Sequence, residues 1–105
     1  MTREEHLLTI TGEECAELAQ RIAKALRFGL EQIQQDADDH PHENPERLTN
    51  RERLMREYYD LRATLGMCGI DAWDTSDLAR RCEREKVAKV ERYLRRSAAC
   101  GTLTL

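Results

Sequence analysis

Five acidic side chains stand at a spacing that suits metal chemistry: Glu13, Glu14 and Glu17 in the run EECAE, and Glu57 and Asp60 in the run EYYD. On a helix, residues three apart project from nearly the same side, about 60° apart in rotation, so each run presents a ridge of carboxylates. Glu14 and Glu17 flank the direction of Leu18 and Ile22, and Glu57 and Asp60 adjoin Tyr58 and Leu61. Two helices packed through those apolar stripes would bring the acidic pairs together at the edge of the core. Four carboxylates gathered without a cation repel one another and hold on to protons. Hard oxygen ligands of this kind suit Mg²⁺ or Mn²⁺, and Mg²⁺ in particular keeps waters or takes phosphate oxygens in preference to an all-protein cage. An acidic half-site that recruits metal and then a nucleotide follows from that chemistry. Either pair alone has the composition of an ordinary solvated helix face. Two pairs on successive helices, each beside an apolar stripe, point to a ligand set. A di-iron bundle is excluded, because it needs Glu-x-x-His on two helices and the chain has none.

The elements that must position these residues are helical. Thr11 is a candidate N-cap with Glu13 and Glu14 in the first turn, and Leu18, Ile22, Leu26 and Ile33 recur at helical spacing, which predicts a helix over 12–33. Arg3 to Leu8 adds one short helical segment before it. The stretch QDADDHPHENPERLTN, 35–50, carries two prolines and no apolar stripe and reads as an acidic loop. Its oxygen-rich composition does not fit an EF-hand, since His40 and Pro41 occupy positions where that loop needs alternating ligands and glycine. Thr49 or Asn50 caps a second helix to about Cys68, with Leu54, Tyr58, Leu61 and Leu65 inward and Gly69 as a stop. Ser76 caps a third to about Ala99, with Leu78, Val87, Val90 and Leu94 inward. The expected fold class is all-α, one domain over 1–105, a bundle of three to four helices completed by oligomerisation.

Composition bounds the partners. The 105 residues carry 35% charged and 40% hydrophobic side chains, a net charge of −3 and a pI near 5.6. Nucleic acid is not an expected partner, because no strongly cationic face exists to displace counterions from a phosphate backbone. No apolar run is long enough to cross a membrane and no signal peptide is evident. Cys15, Cys68, Cys82 and Cys100 have no C-x-x-C spacing, and His6, His40 and His42 complete no zinc pattern. Reduced, partly buried thiols and a cytoplasmic location are expected.

The same residues also carry a resemblance. EECAELAQ followed by EYYDL resembles the EExxE…ExxD signature of the MazG-like all-α nucleoside triphosphate pyrophosphohydrolases. The likeness extends through KALRFG (24–29), LTNRERLMRE (48–57) and KVAKVERYL (86–94). It implies hydrolysis of a (d)NTP to the monophosphate and pyrophosphate with Mg²⁺ as cofactor (Mn²⁺ as an alternative), in nucleotide-pool housecleaning. By that resemblance Glu14, Glu17, Glu57 and Asp60 are the metal ligands, and Glu13 supports them or helps position water. It also implies a homodimer or homotetramer. One departure is plain: 39 residues separate Glu17 from Glu57, more than the family pattern has, and the acidic stretch 36–45 looks like the insertion.

The chemistry expected is attack of a metal-activated water on one phosphorus, with pyrophosphate leaving and Glu13 or Glu17 taking the proton. Acidic ligands alone do not hold a polyanionic substrate, so cationic donors are needed. Lys24, Arg27, Arg51, Lys86 and Lys89 are candidates, with Tyr93 one turn beyond Lys89; the resemblance favours Lys86 and Lys89. Each is otherwise an ordinary solubilising charge. Trp73 is either a base-stacking residue or a core plug. Two alternatives stay open: a non-catalytic helical interaction module, and a pyrophosphohydrolase of a phosphorylated metabolite served by the same metal site.

Overall fold

The computed structural model describes residues 1–34, 44–70 and 74–104. Three helices make up its regular structure: α1 (Arg3–Phe28), α2 (Asn50–Met67) and α3 (Asp77–Ala99), and the described residues contain no strand. The architecture is all-α. By contacts the chain divides into two compact units, 1–72 with α1 and α2 and 73–105 with α3.

The helix starts follow local chemistry. Thr2 caps α1 through a reciprocal box, its hydroxyl accepting from Glu5 N while Glu5 accepts from Thr2 N. Thr49 and Glu52 repeat the arrangement at α2, and Ser76 caps α3 by accepting from Ala79 N. The expected break at Thr11 does not occur. Thr11 is buried inside α1 and its hydroxyl donates to Leu7 O at 2.8 Å, so the side chain that signals a cap is satisfied within the helix instead. The segment expected over 3–8 and the helix expected from 12 are one continuous element. It ends at Gly29, whose φ of 103° lies outside what a side chain tolerates. Ile33 lies beyond it.

α1 and α2 pack as an antiparallel hairpin. At one end, Asn50 N donates to Gln32 O at 2.9 Å, Arg51 N to Leu30 O at 2.8 Å, and Asn50 Nδ2 to Gly29 O at 2.9 Å. At the other, the Thr11 hydroxyl and Cys68 Sγ are 3.5 Å apart. The return of the chain into α2 is tied by Asn44, which is buried: its Nδ2 donates to Gln34 O and Leu48 O, and its Oδ1 accepts from Leu48 N. Buried backbone groups need partners of this kind, and one asparagine supplies three bonds. The acidic segment 35–43 and Trp73 lie outside the described residues.

The apolar stripes are less covered than their periodicity predicts. Among the described residues only Leu7 and Ala25 are buried hydrophobics, while Ile22 is 52% exposed and Leu26 88%. On α3 no residue is buried, and Leu78, Val87, Val90 and Leu94 are exposed. Periodicity identifies a face and says nothing of what covers it. The thiols also differ from expectation: all four are free, but Cys15, Cys82 and Cys100 are exposed and Cys68 alone is half-buried.

Candidate functional site

The antiparallel pairing of α1 and α2 sets the acidic ridges against each other. Glu14, Glu17 and Glu57 each offer a carboxylate oxygen to one cluster, and these oxygens all lie within 4.8 Å of one another. Glu14 and Glu57 are half-buried and Glu17 is exposed. The charge of Glu17 acts on both of the others. Asp60 is exposed and contributes no oxygen to this cluster, yet its charge acts on both Glu14 and Glu57. Glu13 is exposed on α1, outside the cluster.

The electrostatics are those of negative charges gathered in a partly buried cluster. Burial raises the Glu14 carboxyl above its ordinary range, and the charges of Glu17, Asp60 and Glu57 raise it further. Burial does the same to Glu57, with Glu17 and Asp60 adding to it and Arg21 opposing. One oxygen of each, Glu14 Oε2 and Glu57 Oε2, is buried and has no hydrogen-bond partner. A bare carboxylate oxygen out of reach of water is costly. Glu14, Glu17 and Glu57 would hold a divalent cation, and their hard oxygen donors fit an ion such as Mg²⁺.

The cationic candidates fall in different places. Lys24 and Arg27 line a shallow hollow on α1 with Gln20 and Ala23. Arg51 is engaged elsewhere, its Nε donating to Glu31 Oε1 at 2.7 Å. Lys86, Lys89 and Tyr93 are exposed on α3, in the second unit, with Lys89 Nζ 5.9 Å from the Tyr93 ring centre.

Beside the carboxylate cluster lies a polar hollow of about 200 Å³ that sequence reasoning did not anticipate. Arg21, Arg53, Arg56 and Asn44 line it, and Glu57 belongs to both its wall and the acidic cluster. Arg53 is 8% exposed and Arg21 half-buried. The available signal was positional: Arg21 continues the Glu14–Glu17 ridge by one further turn, and Arg53 sits one turn before Glu57 on its own helix. No family model, curated protein or solved structure matches the chain.

Proposed function

We propose that this protein is a Mg²⁺-dependent nucleoside triphosphate pyrophosphohydrolase of the MazG-like kind, releasing pyrophosphate from a (d)NTP in nucleotide-pool housecleaning. The observation that carries the reading is the meeting of Glu14, Glu17 and Glu57 oxygens within 4.8 Å. Two buried, unpaired oxygens in that group support it. Glu14, Glu17 and Glu57 would hold the cation, with Asp60 reinforcing the negative field. When bound, the metal supplies a lowered pKa for water and neutralises charge on the phosphates. Glu17, in the cluster, and Glu13, exposed on the same helix, are the candidates to take a proton from water. The exposed stripes of α1 and α3 support a homodimer or homotetramer, in which a second copy covers them.

The test is a pyrophosphate-release panel over (d)NTPs, including modified nucleotides and phosphorylated metabolites, with Mg²⁺ and Mn²⁺ on wild type and Glu14→Gln. Release by the wild type that is lost in Glu14→Gln supports the reading; no release from any compound would sink it.

A second reading, a non-catalytic helical interaction module, is favoured by one observation. Ile22, Leu26, Leu30 and Leu54 line an open apolar hollow of about 410 Å³ on the hairpin. It predicts that Mg²⁺ with nucleotide leaves the melting temperature of the wild type unchanged.

A further inference from the structure

The acidic cluster accounts for a cation but not for the guanidinium groups beside it. Arg21, Arg53 and Arg56 converge on one hollow of about 200 Å³, against two carboxylates, Glu46 and Glu57, in the same lining. Neutralising Glu57 requires one cation, and Arg21 already acts on it. Arg56 pairs with Glu46 and Arg53 is engaged as well, so what the three share is the hollow between them.

Two of the three are held out of bulk water. Arg53 is 8% exposed, and Arg21 Nη1 is buried with no hydrogen-bond partner. A buried guanidinium N–H without an acceptor is disfavoured by the desolvation of a charged donor, and an anionic oxygen in the hollow removes that penalty. Arg56 closes the outer side. It donates to both oxygens of Glu46, at 3.2 and 2.7 Å, but this pair is exposed on both sides, and an exposed pair contributes little and opens readily. The fourth wall is Asn44, held in place by its bonds to Gln34 and Leu48.

Guanidinium forks match carboxylate and phosphate oxygens alike, in bidentate pairs. A hollow lined by three guanidinium groups, one with a buried Nη1 that has no hydrogen-bond partner, suits the several oxygens of a phosphoryl chain. Glu57, common to the hollow and the acidic cluster, makes the two sites neighbours.

We propose that the hollow formed by Arg21, Arg53, Arg56 and Asn44 binds phosphoryl groups, and that in the reaction it holds the pyrophosphate end of the substrate next to the carboxylate cluster. The identity of the anion rests on the pyrophosphohydrolase reading; the existence of the anion site does not.

The experiment measures binding of inorganic pyrophosphate to the full chain by titration calorimetry, at low ionic strength with a chelator present so that no divalent cation bridges. Saturable binding is expected in the wild type, weakened about tenfold in Arg21→Gln and severalfold in Arg56→Gln, whose exposed side chain leaves folding intact. Arg51→Gln, which removes an equal charge from α2 outside the hollow, should bind as the wild type does. Absence of binding to wild type, equal binding by Arg21→Gln in a folded protein, or equal weakening by Arg51→Gln would each overturn the proposal. Circular dichroism establishes folding, and a misfolded Arg21→Gln passes the decision to Arg56→Gln. The two readings fail separately. Arg21-dependent pyrophosphate binding without hydrolysis of any nucleotide removes the enzyme and keeps the anion site, whereas hydrolysis without it removes only the anion site.

Discussion

The α1–α2 hairpin and α3 begin from the same pattern, a charged amphipathic helix opened by a hydroxyl cap, and end in different physical states. In the hairpin, polar groups are buried: Thr11, Asn44, Asn50 and Arg53 lie below a tenth exposed, alongside half-buried Glu14 and Glu57. In α3 nothing is buried, and its apolar stripe meets solvent. Buried polar groups are costly unless each finds a partner, so they accumulate where geometry or a ligand repays them. The comparison teaches that the buried polar groups among the described residues belong to the hairpin, while α3 offers surface.

The comparison can be broken most decisively at the carboxylates. Glu14→Gln is expected to lower metal-dependent pyrophosphate release by about 100-fold or more, given that even groups supporting a metal ligand are worth 10–100-fold. It should also abolish the rise in melting temperature on adding Mg²⁺. Retention of either effect in the variant would remove the hairpin's special status.

Next in size is Asn50→Ala. Asn50 is 1% exposed and its Nδ2 donates to Gly29 O, so truncation removes the shorter of that carbonyl's two bonds and leaves a void at the closed end of the hairpin. A loss of about 1–3 kcal/mol in urea-unfolding stability is expected. The cap variant Thr49→Ala should cost about 1 kcal/mol in the same measurement. On α3, Val87→Ser should change monomer stability by no more than about 0.5 kcal/mol, because Val87 is 56% exposed. A larger loss, falling with dilution of the protein, would show that a second copy covers this face.

Protons offer a gentler probe of the same contrast. The folded-state pKa values of Glu14 and Glu57 lie above the ordinary carboxylate value of 4.5, so the folded chain takes up protons there before the unfolded chain does. Without metal, these two groups therefore favour folding as pH falls from neutral through their raised pKa, and that contribution is lost as pH rises back through it. Glu57→Gln should stabilise the chelated protein at neutral pH and lose this advantage towards pH 4.5, as followed by thermal melting. Mg²⁺ affinity should move the opposite way, tightening as pH rises and the ligands ionise.

Much of this was legible in the residues. The caps at Thr49 and Ser76, the glycine stop at Gly69 and the all-α class follow from side-chain chemistry that acts within a few positions, whereas the end of α1 at Gly29 came four residues before the expected Ile33. The meeting of Glu14, Glu17 and Glu57 was foreseeable because acidic and apolar residues share two helical ridges. Thr11 misled because a hydroxyl serves equally as a cap or as a donor to the carbonyl four residues back, and only the upstream Thr2–Glu5 box decides between them. Leu26 and Val87 misled because a stripe records the face meant for burial, whatever lies against it. Arg21 and Arg53 went unnoticed because a single arginine on a charged helix looks like solvated surface, and only the crossing of two helices makes a cluster of them.

The bonds gathered between Gly29–Gln34 and Asn44–Arg51 have a consequence for how this chain tolerates change. They fasten both ends of the connection, so the helix register is set outside the stretch that joins them. Loop-closure entropy grows only logarithmically with length. Residues added or deleted between Gln34 and Asn44 should therefore leave the hairpin's alignment, and with it the spacing of the carboxylates, almost untouched. Natural variation, an affinity tag or a new pair of chain termini all have a place to enter there, with the chemistry insulated from them.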